Sequence, residues 1–330
     1  MTLVTNRTLL DAAARGGYGV GAFNVADLAM ATAVLDAARA TESPVIVETL
    51  AGSHPYASDA LWWSALRTAI AAYPDVPVAL HLDHGPDEAT CARAVAAGFT
   101  SVMIDGSLGP DGRPAAFEDN VAVTRRVVEH AHAHGVSVEG ELGTIGGSKD
   151  GRSHAEIVLA DPEQAEEFVR RTGVDALAVA IGTSHGAYKF TSPPDGSVLH
   201  MDLVERIARR VPGTHLVMHG SSGLPADLRA TINAHGGDLP ESWGVPDAEK
   251  ARAASLGVRK INQGMDHYMA FTAGVRVALA ASPGDVDPAG YLALGREWAQ
   301  RLVEERMVLF GQAGRASDVL PAAAGAPAAG

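Results

Sequence analysis

The sequence predicts an α/β protein with a single domain, a (β/α)₈ TIM barrel in which parallel strands alternate with helices. Eight short apolar runs rich in β-branched residues follow one another along the chain, and most stretches between them have helical patterns. Eight is the number of parallel strands that closes such a barrel. Polar and ionisable residues lie at the carboxyl ends of at least six of the runs. An open doubly wound sheet would concentrate them near one switch point.

The apolar runs are the expected barrel strands, in chain order. Between them, Asp161-Pro162-Glu163-Gln164 offers an N-cap, a proline in the first helical turn and a capping-box residue, and Gly173 marks the end of that helix. Gly98 marks the end of an earlier helix in the same way. The eight expected strands are residues 19–25, 44–50, 77–84, 101–107, 136–143, 176–186, 215–223 and 257–266.

The amino-acid composition and net charge limit the classes of protein to which this chain can belong. Of the 330 residues, 47% are hydrophobic but only 5% aromatic, which favours strands of Ala, Val, Leu and Ile buried under helices. The net charge of −13 argues against general binding to nucleic acid or to a membrane surface. Cys91 is the only cysteine, so no internal disulfide can form. The sequence shows neither a signal-peptide pattern nor an apolar stretch of about 18 residues, so we expect a cytoplasmic location.

Three segments fall outside the repeat. Residues 144–156 are rich in glycine, serine and charge, and are expected to form a mobile active-site loop after the fifth strand. Residues 236–246 form a second insertion, before a short helix and the eighth strand. The barrel is expected to span residues 1–318, and the Pro/Ala/Gly-rich residues 319–330 to be a disordered tail.

Three histidines, each followed by glycine, stand at the ends of expected strands: His84 in HLDHG, His185 in GTSHG and His219 in VMHGSSG. Any one of them alone is more typical of packing or hydrogen bonding. Together they favour a zinc site, because imidazole suits Zn²⁺ and three protein ligands with an open position are typical of a catalytic centre.

Carboxylates lie beside these histidines. Strand alternation places Asp83 and His84 on opposite faces, but a turn at the strand end lets both face the barrel mouth, where a carboxylate beside a metal-binding imidazole suits proton transfer. Charged groups on the inner face of a barrel are costly unless paired or metal-bound. We therefore expect a salt bridge for Glu139, and an alternate metal position or contacts to the metal ligands for Asp105 and Glu141.

Glycines near the same rim indicate an anion site. Gly186 and the residues 220–223 can present backbone N–H groups and hydroxyls to a phosphate. Lys189 and Lys260 either add positive charge to that site or are solvated surface groups, and the sequence leaves both interpretations open.

In order, nine segments resemble the class II fructose- and tagatose-bisphosphate aldolases from about residue 3 to residue 320. The resemblance implies reversible retro-aldol cleavage of a ketose (bis)phosphate, such as fructose 1,6-bisphosphate, to dihydroxyacetone phosphate and an aldehyde, within carbohydrate metabolism such as glycolysis. It implies Zn²⁺, with a monovalent cation such as Na⁺ or K⁺ as an optional addition, and a homodimer or homotetramer. The segments are GAFNV, PVIV, HLDHG, SVMIDGS, EGELGTIGG, AIGTSHGAYK, VMHGSSG, GVRKIN and RMVLFGQAGRAS.

The resemblance also implies a role for each matching residue. The motif histidines ligate zinc, and Asp83 takes the proton of the C4 hydroxyl as the C3–C4 bond breaks, without a lysine Schiff base. The resemblance also implies Asp105 and Glu141 at a secondary metal position, Gly186, Gly220 and Ser222 at the donor phosphate, and Asn262 at the substrate hydroxyls. Asn24 and Lys189 are two further candidate substrate-binding residues at the same rim.

Three departures from the family pattern concern the substrate. The loop after the fifth strand carries Ser148-Lys149-Asp150 where the family has an acidic residue, Met265 replaces a threonine at the donor phosphate, and Leu50 replaces a serine near the second phosphate. An aldolase for another ketose phosphate is therefore the main alternative. A non-catalytic sugar-phosphate binder would be free to lose Asp83 or the zinc ligands, and a zinc amidohydrolase would need His-x-His where this chain has Asn24.

Overall fold

The computed structural model describes residues 3–109, 113–149, 152–154, 157–186, 190, 192, 194 and 199–319, with the backbone alone at 146–149 and 152–154. The expected tail from residue 320 onward, Asp150 and Lys189 lie outside the described residues. Within the described part of the chain, no helix combines the length and the apolar character needed to cross a lipid bilayer.

Eight parallel strands close into a barrel, which confirms the predicted fold. The last barrel strand pairs with the first, with Val20 opposite Lys260. Numbered in chain order, the barrel strands are β1 (Val20–Asn24), β2 (Val45–Leu50), β3 (Val78–Gly85), β4 (Ser101–Ile104), β5 (Ser137–Leu142), β8 (Ala176–Val179), β10 (His215–Met218) and β11 (Val258–Gln263), and the others are β6 (Gly146–Lys149), β7 (Arg152–His154) and β9 (Ser184–His185). Around the barrel the order is β1-β11-β10-β8-β5-β4-β3-β2.

Helices cover the outside of the barrel, and the helix start predicted at Asp161 is confirmed. The side chain of Asp161 accepts hydrogen bonds from the backbone of Glu163 and Gln164, both at 2.9 Å, and Gly173 ends the helix with φ 73°. The helices are α1 (Asn6–Gly16), α2 (Leu28–Ala40), α3 (Asp59–Ala71), α4 (Glu88–Ala96), α5 (Phe117–His132), α6 (Pro162–Thr172), α7 (Met201–Arg210), α8 (Ala226–Ala234), α9 (Asp247–Ser255), α10 (Met265–Ala281) and α11 (Pro288–Leu309), followed by a 3₁₀ turn (Ala316–Asp318).

The barrel interior is apolar at one end and polar at the other. Leu9 and Leu10 of α1 pack against small inward residues such as Ala22 and Ala79, all fully buried. Full burial of a leucine side chain stabilises the fold by about 1.5–3 kcal/mol, so α1 is a substantial cover for this end. The opposite end, formed by the carboxyl termini of the strands, carries the polar residues considered below.

The sixth expected strand, 176–186, is not continuous. Gly182 has φ 105°, a backbone conformation that side chains disfavour, and there the chain leaves the barrel after β8. It then forms β9, which pairs with β6. Within the segment expected to form an active-site loop, residues 144–156, β6 and β7 form an antiparallel hairpin that joins β9 in a three-stranded sheet.

Residues 236–246 contain no helix or strand, in agreement with the predicted insertion. They lead into α9 and β11, the short helix and last strand that the sequence predicts.

Candidate active site

The three predicted zinc-binding histidines meet at the polar end of the barrel. The ring centroids lie 4.5 Å apart for His84 and His219, 5.1 Å for His84 and His185, and 5.9 Å for His185 and His219. One nitrogen from each ring lies within 4.8 Å of the other two. A cluster of three imidazoles that converge in this way has the donor chemistry of a catalytic Zn²⁺ site, so these residues fit a divalent cation.

A backbone bulge at the end of β3 brings Asp83 and His84 to the same side. The pairing of β3 with β4 shifts register between Leu82 and Gly85, and His84 has φ 46°. A Cβ at Gly85 would lie 2.5 Å from the carbonyl oxygen of Met103, so only glycine fits next in the chain. The strained turn is therefore built into this strand end, and it overrides strict alternation.

Two amides hold the carboxylate of Asp83 beside the histidines. Asn24 donates to Oδ2 at 2.8 Å, Asn262 donates to Oδ1 at 3.3 Å, and His84 Nε2 lies 3.7 Å from Oδ1. Burial alone would raise the pKa of Asp83, but the neighbouring imidazoles of His84 and His219 outweigh it and hold that pKa below its usual value. Asp83 is therefore an ionised carboxylate, fixed at both oxygens and able to accept a proton.

The orientation of His219 is set from inside the barrel. Its Nε2–H donates to Glu139 at 2.7 Å, while Nδ1 lies 2.9 Å from His84 Nε2. Because the carboxylate can only accept, Nε2 carries a proton, and Nδ1 is the ring nitrogen that faces His84. This is the arrangement in which a carboxylate orients a metal-binding imidazole.

Beneath the histidines, Lys260 joins two buried carboxylates. Its Nζ lies 2.9 Å from Glu139 and 3.2 Å from Glu48, and all three side chains are almost completely buried. The expected salt bridge of Glu139 is confirmed. Both interpretations of Lys260, as a positive charge at the phosphate site and as a solvated surface group, are wrong, because the ammonium is buried inside the barrel between two carboxylates. Burial lowers the pKa of Lys260, but Glu139 and Glu48 outweigh it and hold that pKa above its usual value.

A second group of possible metal ligands shares His84. Its Nδ1 lies 3.3 Å from Asp105 and 3.8 Å from Glu141. The Ser107 hydroxyl lies within hydrogen-bond distance of both carboxylates, at 2.7 Å from Asp105 and 3.2 Å from Glu141, and can donate its proton to either. The structure thus brings the two carboxylates expected at an alternate metal position next to His84, and it adds Ser107, a small hydroxyl residue that the sequence pattern did not single out.

The predicted phosphate site lies on the other side of the histidines. Gly186, Gly220, Ser222 and Asn262 line a cleft of about 680 Å³ that is open to solvent, together with the histidines and Asp83. We refer to residues 220–223 as the cradle turn. Gly220 has φ 63°, and a Cβ there would lie 2.6 Å from the carbonyl oxygen of Ser184, so the turn can pack this closely only with glycine.

Apolar side chains also line this cleft. Leu50 closes β2 opposite Asp83 in the strand pairing, and Met265 and Tyr268 come from the start of α10. The two departures that the sequence marks at Leu50 and Met265 therefore both face the substrate cleft. Tyr268 was not predicted, and as a single aromatic residue within a helix it gives no signal in the sequence.

The amino-acid sequence of this chain is similar to those of known aldolases. A sequence profile described as fructose-bisphosphate aldolase class-II matches residues 4–315. The fructose-bisphosphate aldolase of Nostoc sp. is 48% identical over 332 residues, covering 97% of this chain and 92% of that protein. The chain belongs to the class II fructose-bisphosphate aldolase family. It is therefore an aldolase, a carbon–carbon lyase that requires a divalent metal ion and acts on a phosphorylated sugar.

Other relatives agree with this assignment. The fructose-bisphosphate aldolase of Pseudomonas aeruginosa is 45% identical over 335 residues, covering 97% of this chain and 94% of that protein. Among solved structures, the YdjI aldolase from Escherichia coli K12 superimposes with a TM-score of 0.75 at 30% identity, covering 95% of this chain and 99% of the other. The family predicted from the sequence is confirmed.

Proposed function

We propose that this aldolase cleaves a ketose 1-phosphate reversibly to dihydroxyacetone phosphate and an aldehyde, with Zn²⁺ held by His84, His185 and His219. The convergence of one nitrogen from each of these imidazoles within 4.8 Å carries the proposal. Asp83 is the acid/base, supported by its position 3.7 Å from His84 and its two amide partners.

The chemistry divides between the metal and the carboxylate. When bound, the zinc ion supplies a Lewis acid that polarises the ketose carbonyl and stabilises negative charge beside it. Asp83 accepts the proton of the C4 hydroxyl as the C3–C4 bond breaks, so C4 becomes the aldehyde carbon and the electron pair stays with C3, which then gains a proton. In the condensation direction Asp83 returns its proton to the new C4 hydroxyl. Asn24 and Asn262 keep both carboxylate oxygens aligned.

The cradle turn binds the phosphate of the dihydroxyacetone phosphate half in this proposal. Backbone N–H groups at Gly186 and Gly220 and the Ser222 hydroxyl suit a dianion. Ser222 Oγ accepts a hydrogen bond from the backbone of Met265 at 3.2 Å, which fixes the hydroxyl at the rim of the cleft. Lys189 adds positive charge in this proposal.

Fructose bisphosphate is the substrate in the names of the curated relatives reported above, so fructose 1,6-bisphosphate is the first candidate and a different ketose phosphate is the second. The apolar side chains of Leu50 and Met265 in the cleft favour the second candidate. A phosphate oxygen that loses a hydrogen bond in a partly dehydrated site costs on the order of 1–3 kcal/mol. If the losses at the two phosphate ends add, they lower the preference for fructose 1,6-bisphosphate by roughly 10- to more than 10³-fold.

We therefore expect weak cleavage of fructose 1,6-bisphosphate and faster cleavage of a ketose phosphate that lacks the second phosphate or carries another group there. A coupled assay for dihydroxyacetone phosphate across ketose mono- and bisphosphates checks this expectation. Leu50→Ser is the matched variant, and it should raise kcat/KM for fructose 1,6-bisphosphate relative to kcat/KM for the ketose monophosphates. A kcat/KM of about 10⁵ M⁻¹s⁻¹ or more for fructose 1,6-bisphosphate would show that both departures are neutral.

A further inference from the structure

The insertion at residues 236–246 contacts the cradle turn directly. The backbone N–H of Val245 donates to the carbonyl oxygen of Ser222 at 3.0 Å. A Cβ at Gly244 would lie 2.2 Å from the same oxygen and 2.5 Å from the carbonyl carbon of Gly223. Backbone therefore packs on backbone here, and no side chain fits between the insertion and the turn.

The same insertion also pairs with Phe190. Trp243 and Phe190 form an antiparallel bridge, in which each backbone N–H donates to the carbonyl oxygen of the other residue, at 3.3 and 3.2 Å. Phe190 lies only four residues after Gly186 in the sequence. Consecutive residues of the insertion thus contact both the cradle turn and a residue that follows closely after Gly186 in the sequence.

The insertion is itself anchored to the helical layer. Arg229 of α8 donates to the carbonyl oxygen of Ser242 at 2.7 Å, and Asn233 of α8 exchanges two hydrogen bonds with the backbone of Leu239, at 2.8 and 2.9 Å. Leu239 packs against an apolar cluster that includes Leu224, the residue after the cradle turn. These contacts fix Leu239 and Ser242 of the insertion relative to α8.

A carboxylate also holds the end of the cradle turn. Both oxygens of the buried Asp266 accept backbone hydrogen bonds, from Gly223 at 3.0 Å and from Leu224 at 2.8 Å. Leu224 has φ 53°, a conformation that a leucine adopts only when its surroundings impose it. Asp266 and the insertion therefore both fix the position of the cradle turn.

We propose that residues 236–246 are a positioning element for the substrate phosphate. The insertion sets the distance between the cradle turn and the chain after Gly186, so phosphate affinity depends on Gly244 although this residue is absent from the cleft wall. The inference rests on the proposed function in one respect, the assignment of the cradle turn to phosphate.

Gly244→Ala tests the proposal, with Gly295→Ala as the matched control. A Cβ at Gly295 of α11 would also clash, 2.7 Å from Cγ2 of Val275 and 3.0 Å from the carbonyl oxygen of Phe271, but outside the insertion and away from the cradle turn. We expect Gly244→Ala to raise both the KM for dihydroxyacetone phosphate and the inhibition constant of inorganic phosphate by roughly 10- to 100-fold, the effect of losing one or two hydrogen bonds to the anion. Zinc content should stay unchanged and kcat should fall less than KM rises. Gly295→Ala should lower the thermal midpoint and leave both constants unchanged.

Arg229→Lys is the second variant, in case Gly244→Ala does not fold. Lysine keeps the charge but lacks the planar guanidinium that reaches Ser242, so both constants should rise in the same direction by a smaller factor. The inference is overturned if the folded variants lose thermal stability while both constants stay at the parent values. If the parent protein neither uses dihydroxyacetone phosphate nor is inhibited by inorganic phosphate, the proposed function itself fails, and the inference with it.

Discussion

Asp83→Ala lowers kcat by about 10²–10⁴-fold and leaves zinc content at the parent value, the expected result for loss of a positioned acid/base. The three imidazole nitrogens stay in place in this variant, because none of the histidine ring contacts depends on Asp83. Steady-state kinetics together with zinc analysis of the purified variant measures both quantities.

Asn24→Ala is the control for this variant. It removes the 2.8 Å hydrogen bond to Asp83 but keeps the carboxylate, so kcat should fall by a smaller factor. If Asp83→Ala loses its zinc, the carboxylate is a metal ligand and its assignment as the acid/base is wrong.

His219→Ala removes one of the three proposed metal-binding nitrogens, and we expect it to lose both bound zinc and activity. The alanine also leaves Glu139 without its 2.7 Å partner inside the barrel, so excess zinc should restore little of the activity. Zinc per chain after dialysis, measured with turnover at saturating substrate, checks this expectation.

The matched control lies on the same strand. His215 begins β10 at the other end of the barrel, where it contacts Asp11 at 2.7 Å. His215→Ala should therefore keep zinc and turnover. Retention of zinc and full activity in His219→Ala would exclude this histidine as a required ligand.

The strand order and the position of the histidines could be predicted because they follow from local patterns. Apolar runs that alternate with helical stretches determine the barrel, and the carboxyl ends of its strands must meet at one face. The split of the sixth strand at Gly182 could not be predicted in this way. It depends on the pairing of β9 with β6, which lies more than thirty residues earlier in the chain.

The polar interior of the barrel was harder to predict for the same reason. Glu48, Glu139 and Lys260 come from three strands that are distant in the sequence, and each residue alone is compatible with a solvated surface position. A single acidic residue within the apolar run VIVETL was the available signal for Glu48. The bulge at His84 depends on the space around Gly85, which only the folded barrel defines.

Dihydroxyacetone phosphate release during zinc titration of the metal-free enzyme tests the central claim most directly. A coupled assay with the fastest ketose 1-phosphate follows the rate as zinc is added. We predict no release in excess chelator, and a rate that rises with zinc and stops rising at about one zinc ion per chain. A full rate in the chelated enzyme with no bound metal, or no dihydroxyacetone phosphate from any ketose phosphate at full zinc occupancy, would contradict the account.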